Sequence, residues 1–546
     1  MTSDPVTTLT RDPAAPSVPD AHRSVARRNS PPRPLTALAL LAVVPAALPI
    51  GFLLWTVLRP GGFDAGGFTA ARLLELLAST VLLAATVTLT TLVLGLTTAW
   101  LTTRTDLPGR RAWSVMAALP LVIPSYVGAL ALLGASGNQG LITEALRAVG
   151  LDGVPSFTGF WAAWAALSLW NYPFVHLLTV PALRRLDPAV EEAAQGLGAG
   201  RLRTVATVVV PQLKPALTGA SLLVALYVMS DFGAVSLLRY ETFTRAIYTQ
   251  VRGRLTLTPA LFLSGVLVMI ALVLVIAEQR SRRRVVGLAG RPPRRQRPVA
   301  LGTGGKVVGL GFFAALVTAS LGIPLVTLSW WAFRGGSLGN EATVIWQELV
   351  NTLGVAGGGA VLTAIAAIPV AVLAVRHPGR TGRGVEAMAW SAYSLPHIAV
   401  GLAFLVLAVR YLPAVYQSIP LLLTAYVALF LPLALASTET GLGQVPTSLE
   451  EASRSLGMGP WRTLRLVTGP MIWRAVLAGG VLVFLSAMKE LPATLLLRPT
   501  GFETLAIDIW SASSELFYTR ASVAALVLVG LSAVPLFLLV ARGLHD

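Results

Sequence analysis

The sequence predicts an all-α, polytopic membrane protein with about 12 transmembrane helices, arranged as two homologous six-helix halves. Hydrophobic residues make up 55% of the 546 positions and charged residues only 12%. The mean hydropathy of +0.71 is far above that of soluble globular proteins. Apolar runs long enough to cross a bilayer recur along the chain, and a polar segment in the first set of runs is repeated in the second.

The order of these segments divides the chain into five predicted regions. Residues 1–34 are rich in Pro, Ser, Thr, Asp and Arg, and their polarity predicts a disordered cytoplasmic tail. A first half at 35–277 and a second half at 307–541 are separated by a basic linker at 278–306, and 542–546 form a cytoplasmic C-terminus. The predicted spans lie near residues 35–57, 80–101, 113–134, 159–181, 216–238 and 257–277, then 307–331, 350–374, 386–409, 415–437, 475–497 and 520–541.

Residues 187–211 and 446–470 are two copies of one polar segment. A constant shift of 259 residues aligns them without a gap. Each copy predicts a short helix, a glycine turn and a second short helix. The identical pairs are Glu191 and Glu450, Glu192 and Glu451, Ala193 and Ala452, Leu197 and Leu456, Gly198 and Gly457, Gly200 and Gly459, Arg203 and Arg462, Thr204 and Thr463, and Pro211 and Pro470.

Basic residues are distributed unevenly between the two sides of the predicted membrane. With a cytoplasmic N-terminus, most of the 42 lysines and arginines fall in the tail, the linker and the loops on that side. The positive-inside rule therefore predicts that both termini, the linker and both polar segments are cytoplasmic. Loops that contact membrane lipid explain the net charge of +17, so no nucleic-acid partner is expected.

Several kinds of chemistry are not expected of this chain. It contains no cysteine, and its five histidines are scattered without the spacing of metal ligands, so we expect no metal centre and no cofactor. His176 and His397, alone in predicted spans, are more typical of packing than of ligation. Lys306 follows a glycine but precedes Val307, where a phosphate-binding loop needs Ser or Thr. The chain is therefore not predicted to be an enzyme that hydrolyses ATP.

Asp231 and Glu490 are carboxylates at equivalent positions of the two halves, each inside a predicted span. Ionisable residues at membrane depth are costly and usually face a bundle interior or an aqueous path. Together with Lys489 they are candidates for the lining of a translocation pathway. A structural role, including a local ion pair between Lys489 and Glu490, is an alternative.

The polar segments also carry a resemblance. Glu192-Ala193-Ala194, Gly198, Val208 and Pro211 resemble the EAA loop of ABC importer permeases, in which a triplet of this kind, a glycine and a terminal proline form cytoplasmic coupling helices; the second copy departs at Ser453 and Gly469. The resemblance implies a bacterial inner-membrane permease whose loops engage two ABC ATPase subunits. The implied coupling residues are Glu191, Glu192, Ala193, Gly198, Arg203, Pro211, Glu450, Glu451, Ala452, Gly457, Arg462 and Pro470.

The segments that begin at Ser230 and Lys489 look like those of fused ferric-iron ABC importer permeases. They read Ser-Asp-Phe-Gly-Ala-Val-Ser from Ser230 and Lys-Glu-Leu-Pro-Ala-Thr from Lys489. In that family an extracytoplasmic binding protein delivers the iron. Permeases for thiamine, a polyamine, sulfate or a phosphonate are alternatives within the class, and a gradient-driven secondary transporter is the alternative from another class.

Overall fold

The computed structural model describes residues 31–61, 67–137, 140–150, 157–253, 256–282, 298–334 and 338–543. Within these ranges the chain is helical, and its β-structure is one isolated bridge between Thr105 and Val299. Most of the predicted tail and the central part of the predicted linker lie outside the described residues. The all-α fold class is confirmed.

The two halves repeat one order of helices, with two differences: α5 is present only in the first half, and the counterpart of α1 in the second is divided into α13 and α14 by a π-helical turn. The first half contains α1 Arg33–Leu58, α2 Ala70–Arg104, α3 Arg110–Ala118, α4 Ser125–Ser136, α5 Leu141–Ala148, α6 Phe160–Arg185, α7 Pro188–Gly196, α8 Arg201–Thr204, α9 Val210–Ser230, α10 Gly233–Leu237, α11 Phe243–Gly253 and α12 Thr258–Arg282. The second contains α13 Thr303–Val317, α14 Ile323–Arg334, α15 Leu338–Arg376, α16 Arg380–Ser391, α17 His397–Tyr411, α18 Ile419–Gly443, α19 Thr447–Ser455, α20 Pro460–Thr463, α21 Gly469–Met488, α22 Pro492–Leu497, α23 Leu505–Ser514 and α24 Tyr518–Gly543.

By length and apolar composition, the described residues contain fewer candidate membrane-spanning helices than the twelve predicted. In the described part of the chain nine helical segments are long and apolar enough to cross a bilayer, or up to 11 if each of two bent pairs counts as one span. The predicted span near 159–181 corresponds to α6, which has 26 residues but carries Asn171 and His176. Both side chains are buried, and the ring nitrogens of His176 lie 3.0 Å from Thr98 Oγ1 and 3.2 Å from Ser114 Oγ.

The two bent pairs have a common cause. The segment Arg110–Val122, which contains α3, meets the segment Ser125–Ala148, which begins with α4, at 90°; Arg380–Ser394, which contains α16, meets α17 at 109°. Pro124 precedes α4 and Pro396 precedes α17. A residue before proline avoids the helical region, and both Ile123 and Leu395 are extended. The helix therefore stops at each site and restarts in a new direction.

The first helices of each half pack against the other half. Helix α1 contacts α15 and α18, and α14 contacts α4. In the second of these contacts the indole N–H of Trp331 donates to the carbonyl oxygen of Gly134 at 3.0 Å. A single buried apolar cluster runs through both halves. The halves are thus separate in sequence but interlocked in space.

Candidate functional site

The polar segments form two matching loops, which we call coupling loop 1 (residues 187–209) and coupling loop 2 (residues 446–468). In loop 1 the carboxylate of Asp187 accepts the backbone N–H of Ala189 and caps α7. Each loop then turns at a glycine with positive φ, +88° at Gly198 and +81° at Gly457, where a side chain would be strained. A short helix and a five-residue π-helical turn lead from there into α9 or α21.

An ion pair anchors each loop to the end of a long helix. Arg104, the last residue of α2, is 2.6 Å from Glu191, measured from Nη2 to Oε1. Arg376, the last residue of α15, is 3.0 Å from Glu450 between the same atoms. Sequence reasoning singled out both glutamates but missed both arginines. In the sequence each of these arginines ends a long apolar run and shortly precedes a Pro-Gly-Arg motif. That repeated pattern could have identified them.

The other predicted coupling residues lie at the surface, in the loops or, for Pro211 and Pro470, in the first turn of α9 and α21. These residues are exposed in both copies: Glu192, Ala193, Gly198, Arg203 and Pro211, and Glu451, Ala452, Gly457, Arg462 and Pro470. In each copy the first glutamate thus faces the helix bundle, and the second faces solvent.

An exposed leucine stands at the tip of each loop. Leu197 is 90% exposed and Leu456 is 80% exposed. Val190 and Leu449, also exposed, occupy a second pair of matching positions. Apolar side chains held at matched exposed positions of a duplicated loop are typical of a surface that packs against a partner.

Both coupling loops lie at the same end of the bundle. Next to the first ion pair, Asp106 Oδ2 is 2.9 Å from Lys306 Nζ, so the second half begins at this end. Helices α13 and α14 leave it over 32 residues, and α15 returns to end at the second ion pair. At the opposite end the halves meet, with the rings of Phe232 and Trp510 4.9 Å apart between centroids.

Asp231 and Glu490 lie at breaks between helices rather than inside continuous spans. Helix α9 ends at Ser230, and α21 ends at Met488. The predicted spans at 216–238 and 475–497 are therefore each interrupted. The physical reason is that each carboxylate caps the short helix that follows it.

The two carboxylates use different partners for the same task. Asp231 accepts the N–H of Ala234 at 3.0 Å and the hydroxyl of Ser125. Glu490 accepts the N–H of Ala493 at 3.0 Å, and its Oε2 lies 2.5 Å from His397 Nδ1. Carboxylates near the N-terminus of a helix satisfy backbone donors that have no partner within that helix.

Lys489 joins the two halves instead of pairing with its neighbour. Its ammonium group donates to the carbonyl oxygen of Leu121, in the first half, at 2.8 Å. A pair between Lys489 and Glu490 is not found among the ion pairs of the described residues, so that alternative is not supported. A second link is the N–H of His397, which donates to Ser230 Oγ at 3.2 Å.

These groups surround a cavity of about 340 Å³ between the halves. Asp231, Glu490 and Lys489 all line it, so the structure brings together the three predicted pathway residues. His397 lines the same cavity, although no periodicity or spacing in the sequence indicated it. Polar side chains from the first half are Ser125, Tyr126, Tyr227 and Ser230, and those from the second include Tyr393 and Ser486.

Comparison with known proteins shows the family. Residues 91–279 and 359–546 match the family of binding-protein-dependent transport system inner membrane components. The chain therefore belongs to this family, and it carries the family domain twice, once in each half. This finding confirms the prediction of two homologous permease halves in an inner-membrane protein.

The relatives extend the comparison to the whole chain. An Fe(3+)-transport system permease protein of Haemophilus influenzae is 31% identical over 520 residues, which cover 93% of this chain and 98% of that protein. A ferric transport system permease protein of Actinobacillus pleuropneumoniae is 26% identical over 78% of this chain and 65% of its own length. A sulfate transport system permease protein of Escherichia coli is 35% identical over only 26% of this chain and 50% of its own.

Proposed function

We propose that this chain is the permease of an ATP-driven importer for ferric iron, which an extracytoplasmic binding protein delivers. The observation that carries the choice of iron is the similarity to an Fe(3+)-transport permease along nearly the full length of both proteins. The similarity to a sulfate permease covers about a quarter of the chain and lies within the shared family. The similarity to a putative 2-aminoethylphosphonate permease of Salmonella typhimurium likewise covers only 31% of the chain.

The coupling loops are the proposed docking sites for two separate ATPase subunits, which supply the hydrolysis that this chain does not perform. Their matched shape, their common end of the bundle and the exposed tips Leu197 and Leu456 support this role. Movement of a loop reaches the bundle by two routes, the ion pair to α2 or α15 and the π-helical turn into α9 or α21.

The proposed pathway runs between the halves through the cavity that Asp231, Lys489 and Glu490 line. The bonds from Lys489 to Leu121 and from His397 to Ser230 cross between the halves there, so separation of the halves breaks them. Alternating access then requires that the ATPase subunits, acting through the loops, move one half relative to the other.

We also propose the orientation and the division into halves. Both termini, the linker and both coupling loops are cytoplasmic by the positive-inside rule. The first permease half spans 35–277, and the second spans 307–541. Reaction of single cysteines with a membrane-impermeant reagent tests this orientation, because the chain has no native cysteine.

Reconstitution tests the function directly. The permease, its ATPase subunits and its binding protein are placed in liposomes, and uptake of radiolabelled ferric iron is measured. We expect uptake only with ATP and all components, and no uptake of sulfate or thiamine. Iron uptake without the ATPase subunits would contradict the proposal and favour a gradient-driven carrier.

A pair of glycine variants adds a test of coupling. Gly198→Val and Gly457→Val force a branched side chain into the positive-φ region, at a cost of roughly 1–2 kcal/mol each. We expect ATP hydrolysis to lose its dependence on the loaded binding protein. The matched control is Gly354→Val in α15, where a Cβ atom would meet open space.

A further inference from the structure

The second half carries a cluster of three carboxylates at the end of the bundle away from the coupling loops. One carboxylate oxygen of each of Glu348, Glu503 and Asp508 lies within 4.8 Å of the others. Glu348 belongs to α15, 28 residues before Arg376, which corresponds to about 42 Å along the helix. None of the three residues lines the cavity between the halves, so the cluster is a second polar site.

Two arginines form ion pairs with the cluster. Arg520 Nη2 lies 2.5 Å from Asp508 Oδ1 and 3.4 Å from Glu348 Oε1. Arg498 Nη1 lies 3.0 Å from Glu503 Oε1. Among the ion pairs of the described residues, two guanidinium groups thus face three carboxylates. Burial makes a carboxylate cluster costly unless cations offset its charge.

One oxygen of the cluster is buried without a hydrogen-bond donor. The side chain of Glu348 is only 7% exposed, and its Oε2 atom has no partner among the described residues. A buried carboxylate oxygen normally accepts at least one hydrogen bond or binds a metal ion. Because the side chain points towards two other carboxylates, a cation is the partner that fits.

The first half shows that the fold does not require these acids. Thr80 Oγ1 accepts the N–H of Phe243 at 3.1 Å, and Thr352 Oγ1 accepts the N–H of Leu505 at 2.9 Å, so the two sites superpose in register. In that register Leu76 occupies the place of Glu348. Ala246 likewise occupies the place of Asp508. Both apolar residues are buried, so the same framework packs with an aliphatic pair.

We propose that Glu348, Glu503 and Asp508 form a binding site for a hard, multivalent cation. Such ions prefer oxygen ligands, and one carboxylate oxygen of each residue lies close enough to the other two for all three to bind one ion. Arg520 is the competing cation, and it leaves Asp508 and Glu348 when the ion binds. The site is present in one half only.

Terbium luminescence tests the site, because Tb³⁺ is a hard trivalent cation. The full-length protein in detergent is titrated with TbCl₃, beside the double variant Glu348→Gln with Asp508→Asn. We expect saturable binding that the double variant weakens by at least about tenfold. Glu241→Gln, the matched first-half counterpart of Glu503, leaves binding unchanged. Absence of saturable binding, or equal binding in the double variant, overturns the proposal.

A second variant shows whether a loss of Tb³⁺ binding is caused by misfolding. Glu348→Leu with Asp508→Ala copies the residues of the first half, so we expect it to elute as the native protein does on size exclusion and still to lose Tb³⁺ binding. Retained Tb³⁺ binding in this folded variant also overturns the proposal.

Competition identifies the source of the ion. Displacement of Tb³⁺ by ferric citrate but not by CaCl₂ indicates a station for transported iron, whereas displacement by CaCl₂ indicates a resident ion. Displacement by neither ion overturns the proposal. Because the titration uses no transport step, the site stands or fails independently of the iron proposed as cargo.

Discussion

Coupling loops 1 and 2 share one backbone but differ in how they are held. In loop 1 the described contact of Glu191 with α2 is the ion pair to Arg104, and the glutamate side chain is 19% exposed. In loop 2 the side chain of Glu450 is 9% exposed, and Arg376 also donates to the carbonyl oxygens of Leu442 and Val445. The same turn is thus anchored by a pair in one half and by a network in the other.

Two sequence differences account for much of this contrast. Ser453 replaces the alanine of the first loop, and its hydroxyl lies 2.6 Å from Thr463 Oγ1. Thr468 stands where loop 1 has Val209, and it donates to Glu450 Oε1 at 3.2 Å. The hydroxyl of Thr468, next to the buried carboxylate of Glu450, lowers the cost of burying its charge. The departure from the alanine motif at Ser453 adds a hydrogen bond inside the loop, between the two short helices.

The largest expected effect comes from removing the arginine of the network. Arg376→Ala leaves Glu450 buried without the ion pair to α15 and removes the guanidinium donor from the carbonyl oxygens of Leu442 and Val445, so we expect the free energy of unfolding to fall by about 3–5 kcal/mol. Arg104→Ala has a smaller effect, about 1–3 kcal/mol, because water reaches Glu191 more easily. Thermal unfolding in detergent measures both.

The control for this comparison is Arg454→Ala. Arg454 lies 3.9 Å from Glu450, and its side chain is 51% exposed. We expect a change below about 0.5 kcal/mol. Equal losses for the variants at Arg376 and Arg104 would show that the network adds nothing to the pair.

The exposed leucine at the tip of each loop is a feature that the two loops share, and its removal tests whether both tips bind the ATPase subunit. Leu197→Ala and Leu456→Ala each remove an exposed leucine, so stability stays within about 0.5 kcal/mol of the parent. Binding of the ATPase subunit weakens by about 2 kcal/mol per loop if the tip fills a pocket in the partner. Leu82→Ala, at an exposed position of α2, is the control in the same binding assay. A loss in one loop alone would mean that the loops dock differently.

Restoring the alanine motif in loop 2 sharpens the comparison. Ser453→Ala removes the hydrogen bond to Thr463, with an expected loss of about 1 kcal/mol in the free energy of unfolding. The reverse change, Ala194→Ser, gains less, because the hydroxyl of Thr204 already donates to the carbonyl oxygen of Gly200. Thermal unfolding of the two variants gives the difference, and a gain equal to the loss would contradict it.

The smallest expected effect concerns the ion pair between Asp106 and Lys306, beside coupling loop 1. The backbone N–H of Leu301 and the ammonium of Lys306 hold the pKa of Asp106 below its usual value of 3.8. A lowered pKa means that this contact contributes fully above 3.8 and is lost as pH falls through the lower folded value. Protease cleavage of the linker, followed against pH, should accelerate only under strongly acidic conditions.

The matched control is Asp106→Asn, which cannot ionise. We expect the variant to be cleaved faster at neutral pH and to show no acid-dependent step. An identical pH profile in the parent and the variant would remove Asp106 as the cause.

The spans and the loops were accessible to sequence reasoning because each depends on local composition. A bilayer crossing needs a run of apolar residues, and the duplicated segments can be recognised because they share identical residues at a fixed shift. The span near 159–181 was also predicted, and it corresponds to α6, whose buried Asn171 and His176 form hydrogen bonds inside the bundle. The breaks at Asp231 and Glu490 were missed because hydropathy does not register a helix cap.

Partners across the chain were beyond the reach of the sequence. Arg104 and Glu191 are separated by 87 positions, and His397 and Glu490 by 93. Neither spacing carries a period or motif that would join the residues. Sequence reasoning accordingly offered its neighbour Lys489 as an alternative ion-pair partner for Glu490 and interpreted His397 as a packing residue.

The sequence by itself determined that this protein is a duplicated bundle of membrane helices with two polar loops, because the thickness of the bilayer and a repeated motif are both readable along the chain. Only the tertiary structure decided that α1 and α14 pack on the opposite halves, that a cavity forms where the halves meet, and that the two loops are anchored unequally. Those features depend on contacts between residues distant in sequence, and apolar helices of similar composition carry no record of which neighbour they pack against.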